Sequence, residues 1–284
     1  NPPGHTNFKF TPDGKYLLSG DSDGDVRAFD FASGNVIKTY EQGDPDKKNV
    51  WTKFVAVSPN GKLLAAGGQA GIVDVWQWSA TPDGGTAKAA KQITGFENQM
   101  DAGAFAPDND RLAVVDGTGK IVCWSFKTGK TLWTKKIANT SQLLFSPDGK
   151  KLWVNDFGEV FELDAATGEE TGKLYQQRLY VFSMPRPDRL LVAAESHDAL
   201  LLSFPALDTL AHFRQKVNNG HNVTAFPGNN RVFVGNSIEP TRVWDFDQGK
   251  MVQTLPPTSD ISLYASAGLN KLVWSSTDGI ENYD

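Results

Sequence analysis

The 284-residue chain has a single cysteine, Cys123. One cysteine excludes a disulfide within the chain, and this is compatible with the reducing environment of the cytoplasm. We therefore expect a cytoplasmic location. Cys123 lies in the apolar run Ile121–Trp124, so the pattern predicts a buried packing role and not a catalytic nucleophile.

Histidine is nearly as scarce, and no spacing typical of a metal site is present. The four histidines are spread over positions 5, 197, 212 and 221. The stretch Asp21–Asp25 is similar to a calcium loop, but its twelfth position is Ala32, where such loops need Glu. The stretch therefore predicts a turn between two strands. Since no nucleophile elbow is found either, we predict no catalytic residue, no metal and no cofactor.

Long apolar runs and a strong excess of one charge are also absent. No stretch approaches the roughly 20 apolar residues of a membrane-spanning helix, so we predict no membrane insertion. The 28 basic and 33 acidic residues are scattered and give a net charge of −5. Because nucleic acid binds to clustered basic residues, this charge balance predicts that nucleic acid is not the partner.

The most informative stretch is Leu144–Val154, in which two apolar runs flank the turn Ser-Pro-Asp-Gly-Lys. Proline fixes the φ needed at the first corner of a turn, and glycine supplies a left-handed φ. The stretch therefore predicts a β-hairpin. Related stretches recur along the chain. The residues aligned with Pro147 are at positions 12, 59, 107, 147, 185, 227 and 267, in steps of 47, 48, 40, 38, 42 and 40.

Seven copies at a period near 40 predict a repeat protein built of propeller blades, since each copy contains several short strands and no helical period. We predict an all-β fold: a seven-bladed β-propeller of four-stranded antiparallel blades, in one domain covering residues 1–284. The expected units are approximately residues 6–40, 51–93, 100–137, 140–175, 179–215, 222–255 and 260–284. The insertions Glu41–Lys48 and Ser79–Thr86 lengthen the first two steps, and we expect both to be surface loops.

The last unit is predicted to be incomplete, because the chain ends on its third strand, near Ile280–Tyr283. A missing outer strand would leave unpaired backbone groups along an edge. Pro2 and Pro3 make the residues before the first unit poor candidates for the closing strand. We infer that the chain is a piece of a longer polypeptide, and that a strand from another segment can pair with Ile280–Tyr283.

Third strands that end in an aromatic residue followed by Asp resemble the Trp-Asp signature of the WD-repeat family. These pairs are Phe29-Asp30, Trp244-Asp245 and Tyr283-Asp284. The Ser-Pro-Asp-Gly-Lys hairpins and the Asp-Gly turns before the third strands are similar to that family as well. Turns such as Thr128–Trp133 also resemble the YVTN and quinoprotein-like propellers.

The resemblance departs from the WD-repeat pattern at the buried hydrogen-bond set of that family, which joins a His, an Asp, a Ser or Thr, and the Trp. Gly-His pairs occur here only at Gly4-His5 and Gly220-His221, right against a first strand. The resemblance therefore implies that the set is absent or partial. Ser19 and Asp23 are the remaining candidates in the first unit.

The propeller fold implies that loops between the units and between second and third strands converge on one end and form a ring. We predict a non-enzymatic scaffold or binding module of a larger protein, which binds a protein or peptide through this ring. Aromatic residues and arginine dominate binding hot spots. The candidates of this kind are Trp51, Phe157, Arg178, Tyr180 and His197.

Two other functions are kept as alternatives. One is a quinoprotein- or lactonase-like enzyme or ligand sensor with a metal or cofactor on the propeller axis. The other is an architectural domain that takes up a partner's strand at Ile280–Tyr283.

Overall fold

The computed structural model describes residues 5–42, 51–78, 85–156, 159–175, 179–194, 199–213, 222–226, 230–235, 242–254, 263–266, 271–276 and 279–283. Within these ranges every regular element is a β-strand, and the strands form seven sheets. This confirms the predicted all-β architecture. The chain divides into two compact units, Asn1–Asp156 with Phe161–Leu174, and Phe157–Val160 with Tyr175–Asp284. The single domain stays a prediction.

Sheets 1 to 4 belong to unit 1, apart from the few residues of sheet 4 that fall in unit 2. Sheet 1 consists, in spatial order, of β1 (His5–Phe10), β2 (Tyr16–Asp21), β3 (Val26–Asp30), β4 (Val36–Tyr40) and β8 (Thr86–Ala87). Sheet 2 consists of β5 (Thr52–Val57), β6 (Leu63–Gly68), β7 (Val73–Gln77) and β9 (Lys91–Ile93). Sheet 3 consists of β10 (Met100–Phe105), β11 (Arg111–Asp116), β12 (Lys120–Ser125) and β13 (Lys130–Lys136). Sheet 4 consists of β14 (Thr140–Phe145), β15 (Lys151–Asp156), β16 (Glu159–Asp164) and β17 (Glu170–Tyr175).

Unit 2 contains the remaining three sheets. Sheet 5 consists of β18 (Leu179–Arg186), β19 (Arg189–Ala194), β20 (Ala199–Ser203) and β21 (Thr209–Phe213). Sheet 6 consists of β22 (Asn222–Phe226), β23 (Arg231–Gly235), β24 (Arg242–Asp245) and β25 (Met251–Thr254). Sheet 7 has three described strands, β26 (Leu263–Ser266), β27 (Lys271–Ser276) and β28 (Gly279–Tyr283).

The hairpin between the first and second strand of a sheet closes through local side-chain chemistry. In sheet 4, the Ser146 hydroxyl donates to the Asp148 carboxylate at 2.7 Å, and Gly149 has a φ of 69°. The predicted hairpin is therefore confirmed at this position. In sheet 3 the corresponding corner is Asn109, with a φ of 60°, because Asn is one of the few residues with a side chain that tolerate this region.

The Asp at the end of a third strand caps the turn into the fourth strand. The Asp30 carboxylate accepts hydrogen bonds from the Ser33 backbone N–H and hydroxyl, both at 2.8 Å. These bonds stabilise the ionised form and lower the pKa of Asp30. Asp164 and Asp245 make the same kind of contact to backbone N–H groups. The acidic half of the Trp-Asp signature is thus explained by a local turn.

Alternation of side chains along the strands lets one sheet pack against both of its neighbours within a unit. In sheet 2, Leu64 and Ala66 pack with Leu18 of sheet 1, whereas Ala65 packs with Leu112 of sheet 3. The same arrangement joins sheets 3 and 4, and sheets 5 and 6. Because each buried aliphatic side chain contributes about 1.5 to 3 kcal/mol, a single sheet would be unstable without its neighbours.

One of the two insertions differs from the expected surface loop. Thr86 and Ala87 form β8, which pairs in parallel with Thr39 and Tyr40 of β4 and makes a fifth strand in sheet 1. The pairing satisfies outward-facing backbone groups at the sheet edge, since the Thr39 N–H donates to the Gly85 carbonyl at 3.2 Å. The prediction that Ser79–Thr86 is a surface loop is therefore wrong at its last residue, Thr86, which belongs to β8.

Candidate functional site

Turns and connections converge at one end of unit 1, which we call the loop end. It is formed by the turns β2–β3, β6–β7 and β11–β12, by Glu41, Gln42 and Trp51, and by residues 94–99 before β10. These segments touch one another: the Glu97 backbone N–H, in the connection before β10, donates to the Asp116 carboxylate in the β11–β12 turn at 3.2 Å. The loop end therefore presents several chain segments on one surface.

Trp51 is the large exposed aromatic residue of this surface, with half of its area accessible (50%). It lies immediately before β5, and its backbone is bound to the β6–β7 turn. The Trp51 N–H donates to the Gln69 side-chain oxygen at 3.4 Å, and its carbonyl accepts from the Gln69 N–H at 3.1 Å. The backbone is thus held in place while the indole faces solvent.

Buried polar contacts continue from Trp51 into the neighbouring loop. The Thr52 hydroxyl donates to the Gln42 side-chain oxygen at 2.9 Å, and both residues are buried. The same hydroxyl lies 3.5 Å from the Asp25 carbonyl in the β2–β3 turn. These contacts tie the start of sheet 2 to the loop end of sheet 1.

The β2–β3 turn carries three carboxylates around one arginine. Arg27 forms ion pairs with Asp21 and, at 2.7 Å, with Asp23. The predicted turn at Asp21–Asp25 is confirmed, and the guanidinium supplies the positive charge there. The Ser19 hydroxyl donates to Asp21 at 3.3 Å. Asp23 is exposed, so naming it as the buried acid was wrong, because the end of β2 places Asp21 in the interior.

Asp25, in the β2–β3 turn, binds its proton more tightly than an ordinary carboxyl group. Its pKa is raised to about 6 by burial, and the charges of Asp23 and Glu41 add to the shift, while the Gln42 N–H opposes it. Arg27 lies 4.0 Å from Asp25, further than from Asp23. Asp25 therefore changes charge nearer to neutral pH than an ordinary carboxyl group does.

The five residues predicted from the sequence have different outcomes. Trp51 is exposed at the loop end, as described above. Tyr180 lies in β18, whereas Phe157, Arg178 and His197 fall outside the described residues. Their interaction roles stay predictions. Sequence reasoning missed Arg27 and Gln69; the charge pattern Asp-x-Asp-x-Asp-x-Arg from residue 21 was the available signal for Arg27.

The tryptophans of the third strands differ from the WD-repeat pattern. The indole N–H groups of Trp76, Trp124 and Trp244 are buried without a hydrogen-bond acceptor in the described part of the chain. In WD-repeats the Trp belongs to the buried hydrogen-bond set. The expectation that this set is absent or partial is therefore confirmed at these three positions.

No cluster of three or more His, Cys, Asp or Glu side chains able to hold a metal ion occurs within the described ranges. Cys123 is fully buried, and burial raises the pKa of its thiol to about 12. This confirms its predicted packing role. Of the residues described, none forms a helix that is both long and apolar enough to cross a bilayer.

Two protein-family models match the chain. The PQQ_2 model, described as "Outer membrane protein assembly factor BamB", matches residues 22–178. The WD40 model, described as "WD domain, G-beta repeat", matches residues 3–30. These matches confirm the resemblance drawn from the third strands and hairpins.

Curated relatives are similar to parts of the chain. Protein hir-1 of Neurospora crassa is 27% identical over 49% of this chain, and the match covers 16% of that protein. The uncharacterized WD repeat-containing protein sll1491 of Synechocystis is 26% identical over 54% of this chain and 42% of its own length. The guanine nucleotide-binding protein subunit beta of Arabidopsis thaliana is 26% identical, over 44% and 34% respectively. The chain thus spans less than half of each of these relatives.

A solved structure shows the fold over nearly the full length. The β-propeller domain of Cps50 (Swd1) from Myceliophteria thermophila superimposes with a TM-score of 0.80 and 16% identity, covering 98% of this chain and 96% of that domain. With seven sheets in the described residues, antiparallel except for the β4–β8 pair, the fold is a β-propeller, as predicted.

Proposed function

The chain belongs to the PQQ_2 family, whose model covers more than half of it, and we propose that it is a non-enzymatic interaction module that binds a protein or peptide at the loop end. The observation that carries this proposal is Trp51. A half-exposed indole on a fixed backbone offers a large contact area at little entropic cost on binding. One relative is named as a subunit of a guanine nucleotide-binding protein, which supports a role within assemblies.

The charge of the loop end favours a basic partner. Exposed carboxylates lie there at Asp23, Glu41 and Glu97, and the Arg27 guanidinium is already occupied by Asp21 and Asp23. A lysine or arginine of a peptide could lie over the Trp51 ring, because cations are attracted to aromatic faces, and other basic residues of the peptide could pair with the carboxylates of the loop end. We therefore propose a basic segment of a protein as the ligand.

Selection of displayed random peptides on the immobilised chain tests this proposal. The selected peptides should be rich in Lys and Arg, and their affinity should fall by about tenfold or more in Trp51→Ala, as for an aromatic hot spot. The matched control is Leu132→Ala, since Leu132 is similarly exposed (42%) on the outer strand β13. Equal affinity of the wild type and Trp51→Ala would contradict the proposal.

The other sequence-based predictions stay open beside this one. A quinoprotein- or lactonase-like enzyme or sensor with an axial metal or cofactor remains the alternative, and metal analysis of the purified chain tests it. Strand donation to Ile280–Tyr283, which lies in the three-stranded sheet 7, and the cytoplasmic location also remain predictions.

A further inference from the structure

The outer strand of sheet 2 leaves part of its neighbour uncovered. The pairing of β7 with β9 runs from Val73 and Ile93 to Val75 and Lys91, whereas β7 continues to Gln77. Beyond this pairing the Ala90 N–H still donates to the Val75 carbonyl at 2.9 Å, whereas Thr86 and Ala87 pair with sheet 1. A cleft of about 300 Å³ lies at this end of β7, between sheets 2 and 3.

The walls of the cleft are largely apolar. Leu63 and Val75 line it from sheet 2, and Trp124 and Phe126 line it from the sheet 3 side. Phe126 is held by stacking on Phe105, with ring centroids 5.8 Å apart. The volume is at the lower limit of small-ligand pockets, so the cleft is large enough for one small apolar group.

The polar side chains that line the cleft are those of Lys91 and Gln77, together with the indoles of Trp76 and Trp124. The Lys91 ammonium lies 5.2 Å from the centre of the Trp124 ring, and Lys91 also lines the cleft. The Trp124 indole N–H is buried and has no acceptor among the described residues. No carboxylate lines the cleft within the described part of the chain. Because the Trp124 indole nitrogen has no accessible surface, a ligand in the cleft can contact the Lys91 ammonium but not the indole N–H.

We propose that the cleft between sheets 2 and 3 binds an apolar carboxylate, either a small organic acid or the C-terminal residue of a peptide. The apolar part of the ligand lies against Leu63, Val75 and Phe126. Its carboxylate pairs with the Lys91 ammonium, the cationic group among the described residues that line the cleft. The cleft is lined by other residues than the loop end, so this inference does not depend on the proposed function.

Indole N–H resonances in ¹H–¹⁵N NMR spectra of the ¹⁵N-labelled chain provide the test, with the Trp124 signal assigned from its loss in Trp124→Phe. Four probes are titrated to millimolar concentration: 4-phenylbutyrate, 4-phenylbutanamide, and an acetylated Gly-Phe dipeptide as free acid and as amide. We expect the free acids to shift the Trp124 resonance in a saturable way and the amides to have little effect. A response to 4-phenylbutyrate alone supports a small acid, and a response to both acids extends the ligand class to peptide C-termini.

Two lysine variants identify the charge that is responsible. Lys91→Met keeps an apolar stem over Trp124 but removes the ammonium, so the affinity for the free acids should fall by about fivefold. The control, Lys136→Met, removes an exposed lysine of β13, and the affinity should not change. Unchanged positions of the other indole resonances show that each variant is folded. The proposal is overturned if the Trp124 signal does not move, if amides bind as well as acids, or if Lys91→Met binds like the wild type.

Discussion

Gly68 lies so close to Trp51 that a Cβ atom on residue 68 would be 1.9 Å from the Trp51 carbonyl oxygen. The same Cβ would be 3.0 Å from the Thr52 Cα. Both contacts involve backbone, which cannot move away as a flexible side chain could. Gly68, the last residue of β6, therefore fixes the position of the Trp51 backbone immediately before β5.

We predict that Gly68→Ala destabilises the chain by about 2 to 3 kcal/mol, since overpacking against backbone forces the strands apart. Urea unfolding followed by far-ultraviolet circular dichroism measures the change. The matched control is Gly117→Ala in the β11–β12 turn, where the nearest atoms are side chains of Asp101 and Asn98 at 3.3 to 3.5 Å. A loss in Gly117→Ala as large as that in Gly68→Ala would contradict the close-packing argument.

The parts of the fold that follow from local chemistry could be read from the sequence. The hairpin at Ser146–Gly149 depends on a hydroxyl, a carboxylate and a left-handed φ within four residues, so the sequence motif contains all the information. The weaker version of this hairpin motif at residues 105–108 could also be read from the sequence. That Asn109 takes the glycine's left-handed role there became clear only from the structure.

Features that depend on distant segments could not be predicted. The strand Thr86–Ala87 pairs with β4, more than 40 residues earlier, and two residues are too few to show a strand period. For the same reason the cleft beside Trp124 was missed, since it exists because β9 is short. Trp51 was named as a candidate because an aromatic residue beside a polar insertion is unusual, and its interaction role stays a prediction. Its bond to Gln69 has no local signal in the sequence.

Arg111 provides a second test, because its guanidinium joins sheets 3 and 4. It donates to the Gly149 carbonyl at 2.6 Å, the Ala165 carbonyl at 3.0 Å and the Asp108 carboxylate at 2.7 Å. A lysine keeps the charge but cannot make these three divergent bonds. Arg111→Lys should lower the free energy of unfolding by about 1 to 2 kcal/mol.

The control for Arg111 is Arg189→Lys, because Arg189 pairs with its exposed sequence neighbour Asp188. A surface pair of this kind contributes at most about 1 kcal/mol and often nothing measurable. Equal losses of stability in the two variants would show that the Arg111 contacts between sheets 3 and 4 contribute no more than an exposed ion pair.

Burial of Cys123 leads to a prediction about reactivity. The thiol is fully buried, and its pKa is raised to about 12 by that burial, so little thiolate forms near neutral pH. A thiol reagent such as dithionitrobenzoate should label the native chain only as fast as it unfolds, and label it at once in concentrated urea. Rapid stoichiometric labelling of the native chain at neutral pH would contradict the buried position.

The stability of the chain should depend on pH through Asp25. The carboxyl has a folded-state pKa of about 6 against about 3.9 in an unfolded chain, so the folded state binds more protons between these values. The associated stability is fully present below pH 3.9 and is lost as the pH rises through 6. The side chain is 28% exposed, and the loss is at most about 3 kcal/mol. Asp25→Asn removes the titrating group, so the difference in unfolding free energy between variant and wild type should rise from pH 4 to pH 7 in favour of the variant.

Glu41→Gln should lower the pKa of Asp25, because it removes one of the two like charges that raise it, and chemical denaturation across this pH range measures both effects. A difference that stays constant with pH would mean that Asp25 is solvated as an ordinary surface carboxylate, and the polar packing of Gln42 and Thr52 around the β2–β3 turn would then not constrain it.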